Sequence, residues 1–364
     1  MKYGLWYFKN THNIGDDIWA YAQSLFYPHI DYLIDNIAAY KFKSANGEEV
    51  ATIIAAFVEP YNHEYAFAPP INVNPLFVSS YFRSTMWEFI KKDFVRNYLK
   101  AHEPIGVRSQ EQANRLREMD IEAYFSGCIT LTLPELNKKE GDYICCVDVP
   151  DYVIDYVRKA VKGRFEIKKM THIALMLNEE NSHYIRDWEP EFQRAVTCEQ
   201  RNNLSISQRF EIARSLVQFY CNAHCVVTSR LHAALPCLSQ KTSVLLALPN
   251  NGEGINDMGM RCADFLPFVH HSSYENFLEG TVDFDFVNPP DNPAGYLLFR
   301  NNLSAKCSEF IRNCEDGNIA NRCPYTTDQR QLLLIELLEN KILQLKNIVD
   351  AKNRLIKDAK AMRG

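Results

Sequence analysis

A fixed cation, an imidazole and a helix start fall together in residues 224–235, which read His-Cys-Val-Val-Thr-Ser-Arg-Leu-His-Ala-Ala-Leu. The apolar run 225–227 stops at Thr228 and Ser229, Arg230 and His232 enter the opening turn of a helix over 231–238, and a second apolar run covers 243–248. Strand, turn, helix, strand is a βαβ unit, which sets the first helical residues at the carboxyl edge of a parallel sheet, where ligands bind. A helix start also presents free N–H groups and a positive dipole end. Ser229, Arg230, Leu231 and His232 therefore read as an anion site. The guanidinium suits a two-point grip on phosphate or carboxylate. The imidazole suits a hydrogen bond to phosphate or general acid work near neutral pH, with a backbone-bonded structural histidine as the alternative. The ligand implied is a small, multiply charged anion.

Two further groups carry candidate chemistry. Asn13, Ile14, Gly15, Asp16 and Asp17 are turn residues ahead of a helix expected over 18–26. Gly15 permits close backbone approach to a ligand. Asp16 is the choice for the site, bonding or deprotonating an acceptor hydroxyl, and Asp17 for the helix cap. Arg108, ending a strand over 105–108, is a second cation for the anion or an interdomain ion-pair partner. His12 and residues 250–253 are weaker candidates for a cleft rim, and His270 and His271 read as packing or solvent-facing residues. Cys221, His224 and Cys225 lie close together, but no second Cys/His pair at finger-like spacing accompanies them, so no metal is expected.

These residues need a scaffold of alternating strands and helices. Strands are expected over 3–8, 51–58, 76–80, 105–108, 142–149 and 165–170; helices over 86–99, 109–119, 151–161 and 207–220, the last capped at Ser205 or Ser207. The alternation in both halves implies two doubly wound α/β domains with the ligand in their mutual cleft. At 364 residues the chain is long enough for both. The tail differs: Ile335, Leu338, Ile342, Leu345, Val349 and Ile356 follow 3-4 spacing, interrupted by Lys352. That pattern suits a parallel two-stranded coiled coil joining copies of the chain, or one helix packed back over the domains. Its basic end suits contact with an anionic leaflet, or a solvated face.

A net charge of −5 argues against a nucleic-acid partner. No apolar run reaches a membrane span, and the first nine residues read as a strand rather than a signal peptide. Eleven cysteines, scattered and mostly within apolar runs, suit a cytoplasmic protein.

Three of these segments together resemble the polysaccharide pyruvyl transferase family. Residues 13–17 resemble its amino-terminal Asn-x-Gly-Asp turn, residues 105–108 its Gly-x-Arg element, and residues 228–233 its Arg-Leu-His-Gly/Ala signature, in order over residues 2–248. Ser109 stands where an acid is common, and residues 125–133 replace an Asp-Pro-x-Leu-Leu type of segment, which marks a divergent branch. The resemblance implies two Rossmann-like domains of the GT-B type: residues 1–140 on the acceptor side, 141–325 on the donor side, then the helix 326–364. It implies phosphoenolpyruvate as donor, a saccharide acceptor (lipid-linked in many members), a pyruvate ketal as product and no cofactor. On this reading Arg230, Arg108, Ser229, Leu231 and His232 bind the donor, Asn13, Gly15, Asp16 and Asp17 bind the acceptor, and His232 and Asp16 are catalytic. The setting implied is the cytoplasm, with peripheral contact at the inner face of the membrane. Two alternatives are a nucleotide-sugar glycosyltransferase on the same architecture and a non-catalytic assembly subunit. The first needs a Gly-rich turn with a downstream acid; Gly252 and Gly254 follow the wrong strand for it.

Overall fold

The computed structural model describes residues 1–55, 57–58, 70–139, 141–173, 201–249, 262–319 and 322–361. The first half supplies β1 (Lys2–Tyr7), α1 (Ile14–Ser24), β2 (Tyr32–Asp35), β3 (Val50–Ile54), β4 (Phe57–Val58), β5 (Val73–Phe77), β6 (Tyr81–Phe82), α2 (Trp87–Ile90), α3 (Asp93–Ala101), β7 (Ile105–Val107), α4 (Gln110–Glu118) and β8 (Ala123–Phe125). The second supplies β9 (Tyr143–Val147), α5 (Asp151–Val161), β10 (Glu166–Met170), α6 (Ile206–Asn222), β11 (Cys225–Thr228), α7 (Leu231–Ser239), β12 (Val244–Leu248), β13 (His270–Ser273) and α8 (Tyr274–Glu279). Two longer helices follow, α9 (Tyr296–Glu315) and α10 (Thr327–Ala361).

Two parallel sheets organise these elements, β2-β1-β3-β5 and β10-β9-β11-β12-β13. Smaller parallel pairs join β4 with β6 and β7 with β8. The runs Tyr-Ile-Cys-Cys-Val in β9 and Cys-Val-Val-Thr in β11 are buried throughout, as strands covered on both faces must be. In the second sheet the strand first in sequence lies between the second and the third. Crossovers therefore leave in opposite directions from β9 and β11, and their carboxyl ends open a crevice. One apolar cluster runs through both halves and includes Ile18, Trp19, Phe77, Leu216 and Leu235. Another covers the far face of the second sheet under α5. After that sheet the chain returns to the first half: α9 packs on β3, and Arg330 donates to the Tyr40 carbonyl at 2.7 Å. Among the described residues no helix is long and apolar enough to cross a membrane.

Several boundaries differ from the sequence expectation for local reasons. Helix α1 starts at Ile14, four residues early, because the Asn13 side chain accepts from Gly15 N at 2.9 Å and caps it. Asp17 is therefore not the cap. The strand expected over 51–58 is divided between β3 and β4, which have different neighbours, and that expected over 76–80 begins at Val73. The helix expected over 86–99 breaks where Lys92 turns extended ahead of α3. Ser109 makes no side-chain cap bond to α4; Gln110 N instead donates to Asp264 of the second half at 3.0 Å. Ser205 caps α6 in a reciprocal box with Gln208. His270 and His271 lie in edge strand β13.

Candidate active site

The loop after β1 and the first turn of α1 form one wall. Asn13 N donates to the Thr11 hydroxyl at 3.0 Å, and the Thr11 hydroxyl is hydrogen-bonded to the Asp16 carboxylate. Ile14 N donates to the His172 carbonyl of the second half at 2.8 Å, beside a bridge from Asn13 to Ile173. Burial raises the Asp16 carboxyl from 3.8 to about 6; the Thr11 hydroxyl opposes the rise and the neighbouring Asp17 charge adds to it. Asp16 is thus a buried acid that changes charge near neutrality, where proton transfer is most effective.

Asp17 has different work. Its carboxylate is buried against the Arg209 guanidinium, with Nε at 2.9 Å, and Arg201 Nε lies 3.7 Å away. Arg209 also donates to the carbonyls of Phe8 at 2.8 Å and Lys9 at 3.0 Å. This clasp fastens α1 to α6 across the halves and engages the carboxylate assigned to an acceptor from sequence.

The start of α7 forms the facing wall. Arg230 takes the cap position with extended backbone, and its N–H donates to the Thr228 hydroxyl at 2.9 Å. The Ser229 hydroxyl donates to the Asp148 carbonyl at 2.6 Å, and Leu231 packs on the core. Arg230 Nε donates to Asp148 Oδ2 at 2.8 Å; the two terminal nitrogens of this partly exposed guanidinium have no hydrogen-bond partner among the described residues, and their geometry suits a two-point contact. Arg230 lines a cleft of about 560 Å³ together with Asp148, Asp151, Lys169, Thr171 and Tyr274. This cleft sits at the crevice between β9 and β11. Asp148 itself has φ of 51°, a left-handed backbone that a non-glycine residue adopts at a cost and that recurs at ligand sites.

His232 faces the other way. Its Nε2 lies 2.9 Å from Arg108 Nη1, both residues being buried. A guanidinium can only donate, so Nε2 accepts and the ring's proton resides on Nδ1. A general acid acting from Nε2 requires this contact to part first. Gly15 lies against the same ring: a methyl there would sit 2.9 Å from His232 Nδ1 and 3.0 Å from its Cβ. Gly15 is therefore needed for close approach of α1 to α7. Arg108 is held by its own N–H on the Ser80 carbonyl at 2.8 Å.

The sequence reading put Arg230 and His232 in one anion site; the structure gives them separate surroundings. The described lining of the Arg230 cleft falls within the second half, whereas His232 meets Gly15 and Arg108 of the first half. His12 is exposed, and residues 250–253 lie outside the described residues. His224 stacks on Phe165 and shares Nε2 with the Val287 carbonyl at 3.0 Å, while Cys221 Sγ lies 3.8 Å from the Leu136 carbonyl.

Sequence reasoning missed Asp148, His172 and Arg209. Asp148 Oδ2 accepts from His172 N at 2.9 Å as well as from Arg230. His172 is buried, its Nε2 is 2.6 Å from the Tyr220 hydroxyl, and burial lowers its imidazole to about 4, so the ring is neutral. Asp148 and His172 are polar residues just beyond parallel strands β9 and β10, a position that signals a ligand edge. Arg209 lies on the apolar stripe of α6 with Ile212, Ala213 and Leu216, where a charge demands a partner.

Residues 87–251 match the family model described as polysaccharide pyruvyl transferase. The matched stretch holds Arg108, Asp148, His172 and residues 228–233; residues 13–17 precede it. No curated protein matches the chain.

Proposed function

We propose that this chain is a polysaccharide pyruvyl transferase, the family whose model matches residues 87–251, and that it draws on phosphoenolpyruvate and closes a pyruvate ketal across two hydroxyls of a saccharide. The family match supports a transferase with a saccharide acceptor. The donor and the ketal are the further step, and the chemistry of the two walls supports them.

Phosphoenolpyruvate carries a carboxylate and a phosphate on a three-carbon frame. Two cations can each receive one anionic group: Arg230 by its terminal nitrogens, and Arg108, from the opposite half, beside His232. As the donor anion draws Arg108 toward itself, His232 Nε2 is released, takes up a proton from solvent and passes it to the methylene carbon. A sugar oxygen then bonds to the cation-like central carbon and loses its proton to Asp16, which is largely ionised above its pKa of about 6. The second sugar oxygen displaces phosphate as the carbon–oxygen bond breaks. Of the two hydroxyl protons, one balances the new methyl hydrogen and the other leaves with phosphate.

The observation carrying this reading is the 2.9 Å contact of Arg108 with His232, which joins two motif residues 124 positions apart. The test is release of phosphate from phosphoenolpyruvate in the presence of host surface glycan precursors. Arg230→Ala and His232→Ala lose that release while keeping the wild-type circular dichroism. Thermal-shift screening checks the donor separately: phosphoenolpyruvate raises the melting temperature and nucleotide sugars do not. Stabilisation by a nucleotide sugar alone would overturn the donor assignment.

A further inference from the structure

Helix α10 leaves the body at a defined point and then carries an apolar face that nothing among the described residues covers. Thr326 and Gln329 form a reciprocal cap at its start, and Arg330 holds its first turn to the Tyr40 carbonyl. Beyond that, Ile335, Leu338, Ile342, Leu345 and Val349 recur at 3-4 spacing and are each 45–54% exposed. At roughly 1.5 Å per residue the helix is about 52 Å long, enough for a stable two-stranded seam.

We propose that α10 pairs with α10 of a second copy, and that the two helices run antiparallel with Ile342 packed on Leu345 of that copy. Charge decides the direction. In a parallel pair the seam stacks Lys352 directly on its counterpart, a like-charge contact that opposes that arrangement. In the antiparallel register Ile342 meets Leu345, Leu338 meets Val349 and Ile335 meets Lys352, so the two Lys352 residues lie some 25 Å apart. Glu339 of each copy then flanks Lys346 of the other, two attractive contacts related by the two-fold axis. That axis passes between residues 343 and 344, the middle of Thr327–Ala361, so the helices overlap over their whole length. The division of isoleucine and valine from leucine along the seam favours the parallel form; the charges outweigh it.

Sedimentation equilibrium of the full chain tests this. The wild type sediments as a dimer. Glu339→Lys and Lys346→Glu each weaken dimerisation by about tenfold, since two attractive flanks become repulsive, and the double variant Glu339→Lys/Lys346→Glu recovers the wild-type constant. In a parallel pair Glu339 and Lys346 flank different neighbours, and the double variant would show no recovery. That result overturns the proposal, as does a wild-type monomer, including one that cosediments with vesicles containing anionic lipid. Circular dichroism of each variant verifies that the body is folded.

Discussion

Replacing Asp16 by asparagine isolates the cost of an ionised carboxylate in the junction of the two halves. The fold raises this carboxyl from 3.8 to about 6, mainly through burial. That difference corresponds to about 3 kcal/mol between the two protonation states. A carboxyl raised in the folded state contributes stability below pH 3.8, and that contribution is lost as pH climbs through 6. Above pH 7 the native protein therefore holds a buried anion against a penalty of about 3 kcal/mol, which asparagine, similar in shape and still able to accept from Thr11, does not incur. Asp16→Asn should match or slightly trail the wild type near pH 4 and gain progressively to pH 8. For 364 residues the gain is roughly 4 °C in melting temperature. Calorimetry of both proteins from pH 4 to pH 8 gives the difference directly. A gap that stays constant across that range refutes the reasoning, because it means the carboxyl titrates alike in folded and unfolded chains. The same variant should lose phosphate release, a gain in stability at the expense of turnover that marks a group kept for function. Unchanged turnover would remove Asp16 from the proposed chemistry.

Two other substitutions bear on the walls. Asp17→Ala leaves Arg209 charged and buried without its carboxylate, and urea unfolding should show a loss of about 3–5 kcal/mol; a loss under 1 kcal/mol would mean the backbone carbonyls suffice. Gly15→Ala drives a methyl to 2.9 Å from His232 Nδ1, so α1 and α7 must separate. A stability cost of about 1–3 kcal/mol should accompany a more than tenfold fall in turnover per folded molecule, read from kcat beside the melting temperature. Full turnover would show that this spacing is unimportant.

The sequence made the βαβ units legible because their strands are continuous apolar runs and their helices carry caps and 3-4 periodicity. Helix α5 matches its expected span, and β11 and α7 are correct within a residue at each end. Failures occurred where one residue's side chain or a distant partner decides the outcome. Asn13 extends α1 backward by side-chain capping, and Lys92 alone splits α2 from α3. The candidate site followed the same division. Arg108, Arg230 and His232 were visible from residue type and position. Their grouping was not, since α7 turns its first two polar side chains to opposite neighbours, Asp148 and Arg108. Asp17 was misread because a carboxylate in a first helical turn has a local explanation, whereas its ion-pair partner lies 192 residues away.

That separation also has a consequence during synthesis. Helix α1 emerges early, yet Asp17 meets its counter-charge only when Arg209 follows it, 192 residues later. At about 5–20 residues per second the interval is roughly 10–40 seconds. Throughout it the face of α1 that packs on α6 and α7 lacks both partners. Apolar surface exposed for that long is the kind that makes a newborn chain dependent on chaperones.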